Sequence, residues 1–427
     1  MPRFAPPEPV VEITRVLERA GHQAWCVGGA VRDAILGIPN LDWDLATSAT
    51  PHEVRRLFRR TVPIGIEFGT IGVLDDFGVM HEVTTFRHDV ETDGRHAVVK
   101  FGASLTDDLA RRDFTINAIA YSPTRDEVQD PFGGEQDLKR GLLRAVGVAK
   151  ERMREDRLRA LRGIRFASRF GFQVEAATWQ AILTSAPHLG RLSAERVKQE
   201  IEKTMEQVER PGEAFALWKS SGAFESVVPA LAGATQVELH ALDRLRRPLL
   251  PRRPQRKLTR LTALFCAAPP GTVLAAVKAL RFSNADAAWI AAIADRWHAM
   301  GREMKEALLA PTPPTDATLR RWAGQTGRTK LAPVLRIADA YWWAERSLGK
   351  EAPSAGRVAS VYRRAVRIAY RDPVEVSDLA VNGDDLRTVG IEGKALGVAL
   401  RTLLASVIDD PTRNTRDALL REAAELR

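Results

Sequence analysis

The chain is predicted to be an α+β protein, with a mixed sheet and helices up to about residue 140 and helices alone thereafter. Three observations carry this. Short β-like runs alternate with helix signals in the first part of the chain. From about Glu151 onward strand signals nearly vanish, and apolar residues recur at helical spacing, as in Leu158, Leu161 and Ile164. A length of 427 residues also calls for two to four domains with ample core.

The elements follow in order. A helix from about Glu8 to Ala20 leads to a strand ending at Val27, then to a helix near Val31–Leu36. Leu41-Asp42-Trp43-Asp44-Leu45 alternates apolar and acidic residues, so a strand there buries Leu41, Trp43 and Leu45 and projects Asp42 and Asp44 together. Thr50-Pro51 starts a helix that runs through about Arg59, with Thr as N-cap and Pro in the first turn. Two β-like runs follow, Gly69–Leu74 and Val79–Phe86, and the Gly133-Gly134 turn and the stretch Leu138–Val148 close the domain. The helical remainder is punctuated at Pro211-Gly212, Pro248–Pro254 and Ala310–Pro314.

Composition narrows the function classes. The net charge of +9 favours a polyanionic partner. Two cysteines, Cys26 and Cys266, have no metal-ligand spacing, which argues against a disulfide framework or zinc site and fits a cytoplasmic protein. The N-terminal stretch has no apolar signal core, and the longest uncharged run, Leu261–Val277, is broken by Pro269-Pro270-Gly271, so no membrane association is expected. Oligomeric state is not legible.

Val27-Gly28-Gly29-Ala30-Val31-Arg32-Asp33 shortly before Asp42-Trp43-Asp44 is the sharpest signal. Two carboxylates on one face repel unless a divalent cation sits between them, and Mg²⁺ suits an all-oxygen site that also takes phosphate oxygens. Gly28 and Gly29 let backbone N–H groups approach a triphosphate, with Arg32 nearby. The combination points to nucleotidyl transfer. Glu82 supplies a third carboxylate if its strand neighbours that of Asp44. Arg87–His96 reads as a mobile loop with Gly94 as hinge, and Asp107–Ala118 as the start of a helix whose Arg111, Arg112 and Asp113 hold phosphate and ribose, with Asn117 beside them.

In Glu155–Arg165 one helix is expected to carry Asp156 and Arg159 as an i,i+3 pair, Glu155 and Arg159 as an i,i+4 pair, and Arg162 a turn further on. A fixed Arg donates and a fixed Asp accepts. Cytosine and adenine both offer an amino donor beside a ring acceptor, whereas uracil and guanine present the opposite polarity, so one Asp–Arg pair selects C and A. Two basic clusters, Arg244–Arg260 and Arg357–Arg371, read as phosphate-backbone contacts.

The ordered set GGAVRD…DWD, EVTTFRHDVETDGRHAVV, DDLARRDFTINAIAY, DPFGGEQDL and EDRLRALRGIRFASRFGF resembles the bacterial class II tRNA nucleotidyltransferases, the CCA-adding enzymes, whose superfamily includes bacterial poly(A) polymerases. The motifs cover about residues 25–205, and Ser193–Val197 resembles the last of them. The resemblance implies a nucleotidyltransferase head (palm, 1–140), then a helical neck (141–205) reading the nucleobase, a helical body (206–308) and a tail (309–427) binding tRNA. It implies Mg²⁺ in a two-metal mechanism, with CTP, ATP and tRNA as partners. Asp42 and Asp44 would bind metal, with Glu82 beside them. Gly28, Gly29 and Arg32 would hold the triphosphate; Arg111, Arg112, Asp113 and Asn117 would meet phosphate and ribose. Asp156 and Arg159 would read the base, braced by Glu155 and supported by Arg162 and Arg165. Arg157 departs from the pattern and offers a competing guanidinium. The segment Val62–Thr70 resembles the CCA-adding branch more than the poly(A) branch, and the intact-looking loop argues against an enzyme adding only CC. Addition of A alone, poly(A) synthesis and a catalytically silent RNA-binding protein stay open.

Overall fold

The computed structural model describes residues 4–40, 42–92, 97–245 and 254–426. They form two compact units: residues 1–204 with 217–229, and residues 205–216 with 230–427.

The first unit is built on a seven-stranded mixed sheet. After α1 (Glu8–Arg19) come β1 (Ala24–Val27), α2 (Gly29–Ile35), β2 (Asp44–Thr47), α3 (Pro51–Leu57), β3 (Thr61–Gly65), β4 (Thr70–Leu74) and β5 (Met80–Thr85). Then follow β6 (Arg87–Thr92), β7 (Ala97–Phe101), α4 (Leu105–Ala110), β8 (Ala120–Ser122), β9 (Glu127–Gln129) and α5 (Gly134–Arg140). The strand order is β3-β4-β5-β2-β1-β8-β9, antiparallel except where β2 and β5 run parallel. Thr50 caps α3 reciprocally with Glu53, as the Thr-Pro signal predicts.

Alternation decides what each face of the sheet meets. Leu45, Ile71, Val73 and Val83 are buried on the face that carries α3. Trp25, Val27, Ala46 and Ala120 point the other way and form a second core with Phe86, Leu105 and Leu109.

Several expectations need correction. The segment read as a loop from Arg87 is a hairpin of β6 and β7, set apart from the main sheet; its tip, Asp93–His96, lies outside the described residues. The sequence reading missed β3, whose Pro63 and Gly65 disguise an edge strand, and the three-residue β8 and β9. α4 ends at Ala110, so Arg111 and Arg112 follow a helix and do not begin one.

Helices α6 (Ala149–Glu155), α7 (Leu158–Phe170), α8 (Ala176–Ser185) and α9 (Ala194–Gln207) continue the chain, with two-residue strands β10 (Leu142–Leu143) and β11 (Gln173–Val174) paired in parallel. α10 (Pro211–Ser220) and α11 (Ala223–Val227) follow.

The second unit is helical: α12 (Gln236–Arg244), α13 (Pro254–Phe265), α14 (Val273–Ala279), α15 (Asn284–Leu309), α16 (Asp316–Thr326), α17 (Arg328–Ser347), α18 (Ala355–Arg371), α19 (Gly383–Thr388), α20 (Lys394–Asp409) and α21 (Arg416–Glu425). Trp322 and Trp342 are buried in it. A separate apolar cluster around Leu386, Leu403, Val407 and Leu419 joins its last three helices. No described helix is long and apolar enough to cross a membrane.

Candidate active site

The site is organised by strand register. In the antiparallel pair β1–β2, Val27 lies opposite Asp44, so the Gly28 turn sits beside the entry to β2. Gly28 has φ 75°, a conformation that side chains disfavour, and a Cβ there would stand 3.0 Å from Arg112 Nη1. Glycine is therefore favoured by its conformation, and the Arg112 guanidinium lies close against its open side. Gly29 is the first residue of α2.

Trp43 and Leu45 are buried, Asp44 is half-buried and Asp42 is exposed. The predicted alternation thus holds from Trp43 onward, but Asp42 precedes the strand and does not lie in it; Leu41 is outside the described residues. β5 pairs with β2 so that Leu45 lies opposite Val83, which brings Glu82 alongside Asp44. Burial, with the charges of Asp42 and Glu82, pushes the Asp44 carboxyl up to about 6, while Arg112 pulls the other way.

Among the described residues no three acidic, His or Cys side chains make a closed metal cage. An open set of carboxylates, with Asp42 and Glu82 flanking the half-buried Asp44, still fits a divalent cation whose shell is completed by phosphate and water. The Nε of Arg112, buried and without a hydrogen bond, adds an unused donor beside Gly28.

Asp108, missed in the sequence reading, fixes both arginines of the RRD motif. Its Oδ1 accepts from Arg111 Nε and Nη2 at 3.0 and 2.7 Å, and its Oδ2 accepts from Arg112 Nη2 at 3.1 Å. Burial works against the Asp108 charge, but the two guanidinium groups outweigh it and hold the carboxyl below its usual range. The repeated Asp107-Asp108 before Arg111-Arg112, at i,i+3 and i,i+4 spacing, is the sequence signal by which it could have been found.

Arg32 is turned into the interior. It is 4% exposed, donates twice to Asp33 and once to Asn117 Oδ1 at 2.6 Å, and lies over the rings of Phe166 and Phe170. Burial moved it inward because Asp33 and Asn117 satisfy its donors there. Asn117 donates to Asp113 Oδ1 at 2.9 Å, and Asp113 Oδ2 accepts from Arg162 Nε and Nη2 at 2.8 and 2.7 Å. Arg32, Asn117, Asp113 and Arg162 therefore form one continuous polar chain from α2 to α7. Despite burial, Arg162 and Asn117 hold the Asp113 carboxyl down at about 2. Arg162 is the partly exposed end of the chain.

The single helix expected over Glu155–Arg165 is two. α6 ends at Glu155, Asp156 has extended backbone, and α7 begins at Leu158. Asp156 caps α7 by accepting from Leu158 N, because a free carboxylate competes well for the first unpaired N–H groups of a helix. Its Oδ2 pairs with Arg196 Nη2 at 2.6 Å, so its ion-pair partner is Arg196 on α9 and not Arg159. Arg196 was visible only as part of the Ser193–Val197 motif. Glu155 does brace Arg159, at 2.7 Å, and Arg159 Nη2 donates to the Arg111 carbonyl, also at 2.7 Å. Arg157 donates to Ser185 instead of joining this group.

Arg165 lies in the interior. It is 3% exposed and paired with Glu200, itself 1% exposed, at 2.7 Å, which makes it an interior strut between α7 and α9.

The basic clusters divide similarly. Arg260 is buried and donates to the carbonyls of Met205 and Leu245, and Lys257 pairs with Glu206. Arg246, Arg247, Arg252 and Arg253 lie outside the described residues. On α18, Arg357 and Arg364 are engaged with Pro311 and Asp316, whereas Arg363, Arg367 and Arg371 are exposed on one side with Tyr370.

Comparison with known proteins gives the same picture. Residues 24–144 match the Poly A polymerase head domain, and residues 171–234 match the probable RNA and SrmB-binding site of polymerase A. The CCA-adding enzyme of Latilactobacillus sakei is 35% identical over 429 aligned positions, covering 99% of this chain and 98% of that one. That of Lactiplantibacillus plantarum is 48% identical over 204 residues, a match that spans only 49% of that relative's length and 47% of this chain. The crystal structure of the Bacillus stearothermophilus CCA-adding enzyme in complex with CTP superposes with a TM-score of 0.73 at 30% identity, covering 98% of this chain and 96% of that one. Through its 35% identity to the Latilactobacillus sakei enzyme over nearly the whole of both chains, the chain belongs to the family of CCA-adding enzymes.

Proposed function

We propose that this protein adds C, C and A to the 3′ end of tRNA, taking CTP and ATP in turn without a nucleic-acid template and releasing pyrophosphate. The observation that carries the reading is the row formed by Gly28, Asp44 and Glu82 across β1, β2 and β5, with Asp42 and Arg112 beside it. In this reading Asp42 and Asp44 hold Mg²⁺. When bound, the metal supplies positive charge that eases deprotonation of the terminal hydroxyl and offsets charge on the triphosphate. Arg112 and the Gly28–Gly29 backbone receive that triphosphate, and Glu82 keeps the nucleophile's side of the site negative. The terminal hydroxyl attacks the α-phosphate, and the bond to pyrophosphate breaks in line.

Asp156 and Arg159 read the incoming base, each held by a second charged side chain, Arg196 and Glu155. Arg162 supports the nucleotide, and Asp113 and Asn117 fix Arg162. The division into head (1–140), neck (141–205), body (206–308) and tail (309–427) belongs to the same reading, with exposed arginines of α18 on the tRNA backbone.

Incubation with Mg²⁺, CTP, ATP and tRNA lacking its CCA end, followed by sequencing of the products, tests it. Defined CCA ends support the proposal. Long A tracts identify a poly(A) polymerase, addition of A only to CC-ended tRNA identifies an A-adding enzyme, and no incorporation leaves an RNA-binding protein.

A further inference from the structure

Three strands of the sheet leave an apolar surface open on the face that carries the carboxylates. Register fixes which residues share it. Ala46 pairs with Thr84, Thr84 with Thr70, Glu82 with Gly72, Met80 with Leu74, and Gly72 with Val62. Over β1, β2 and β8 this face is covered by Leu105 and Leu109 of α4. Over β3, β4 and β5 it is not: Val62 is 38% exposed, Ile64 43% and Met80 44%. Gly72 lies beneath them, since a Cβ there would meet Met80 Sδ at 2.7 Å and Ile64 Cδ1 at 2.9 Å. The opposite face of the same strands is closed, with Ile71, Val73 and Val83 buried.

We propose that Val62, Ile64 and Met80 form a platform on which the unpaired 3′-terminal nucleotides of the acceptor RNA rest, bases down, as they approach Asp44. This rests on the nucleotidyl-transfer reading above. The triphosphate donors, Gly28 and Arg112, stand on the β1 side of Asp44, so the attacking strand must enter from the other side, across Glu82. That approach presents an apolar strip next to Glu82, a surface that suits bases and repels phosphates. Continuity with the carboxylate row selects this occupant. A β-strand of a second copy fits worse, because Pro63 removes a ladder donor from the edge strand β3.

The test is a doubly substituted protein, Ile64→Ser with Met80→Gln, both at exposed positions, compared with the unsubstituted protein on tRNA lacking CCA. KM for the RNA is expected to rise about tenfold with KM for CTP unchanged, from the loss of apolar contact area beneath the bases. RNA carrying a photoreactive 4-thiouridine at its 3′ end should cross-link to the peptide containing Ile64 or Met80. An unchanged KM for RNA with cross-links elsewhere overturns the proposal, as does a substitution that shifts the sedimentation of the protein alone, which would mark a contact between copies. If the unsubstituted protein extends no RNA, the functional reading itself fails.

Discussion

Replacing Asp113 with Asn removes a charge and keeps one acceptor for Arg162, but sets an amide NH2 against the Phe114 N–H and Asn117 Nδ2 that Oδ1 accepts from, so the pH-dependent part of the loss is what reports the charge. The Asp113 carboxyl is held at about 2, against an ordinary value of 3.8. Each unit corresponds to about 1.4 kcal/mol, so the charged form contributes about 2 kcal/mol at neutral pH. Because the folded pKa is depressed, this stabilisation is complete above the unfolded value near 4 and is lost as pH falls through about 2. Asp113→Asn should therefore lower the urea stability of the first unit by at least about 2 kcal/mol at pH 7, and the loss should shrink by about 1 kcal/mol by pH 3. Unfolding followed by tryptophan fluorescence at both pH values reads it, with amide exchange at Phe114 and Asn117 reporting locally. A loss that stays constant between pH 7 and pH 3 would refute the charge argument. No loss at all would refute the geometry as well.

Other substitutions separate catalysis, selectivity and scaffolding. Asp42→Ala or Asp44→Ala should reduce CTP incorporation more than a thousandfold while circular dichroism and tRNA affinity hold; near-normal turnover in either would sink the two-carboxylate assignment. Asp156→Ala or Arg159→Ala should cut discrimination against UTP and GTP by about ten- to a hundredfold, from the roughly 1.5–3 kcal/mol value of a charged hydrogen bond. Arg165→Met should cost about 3–5 kcal/mol by stranding buried Glu200, and adding Glu200→Leu should recover much of it; thermal melts of the single and double variants decide this. Joint replacement of exposed Arg363, Arg367 and Arg371 by Ala should weaken tRNA binding and flatten its log–log salt slope by somewhat under about one unit per lost contact, with nucleotide choice unaffected.

The parts of the site legible in the sequence are those encoded by local pattern. Alternation in LDWDL marked Asp44 as projecting from its strand, and the conformational demand at Gly28 was written in the glycine itself. The proximity of Glu82 depended on a strand order that no local pattern contains; it came as a conditional and is fulfilled by the parallel β2–β5 pair. Arg32, Arg111, Arg162 and Arg165 looked alike in sequence, yet burial and partner choice separate them. A guanidinium next to Glu200 in the interior and one reaching the surface differ only in what faces them across the fold. The break at Asp156 was hidden for a related reason: the helical spacing of α7 extends backward into α6 without a glycine or proline to interrupt it.

The polar chain from Arg32 through Asn117 and Asp113 to Arg162 also constrains how the protein can change. Each member is oriented by its neighbour, so the effect of altering one depends on which residues the others already are, and paired substitutions should be strongly non-additive. Exchanging a single member removes a partner from its neighbour: without Asn117, Arg32 keeps only Asp33, and without Asp113, Arg162 loses its carboxylate. Exchanging two together can restore the pairing. Variation at these four positions is therefore expected to be epistatic, with routes between different combinations passing through intermediates less fit than either end. By contrast, Gly28 offers no such compensation, because its requirement is set by its own backbone angle and not by a partner that can be replaced.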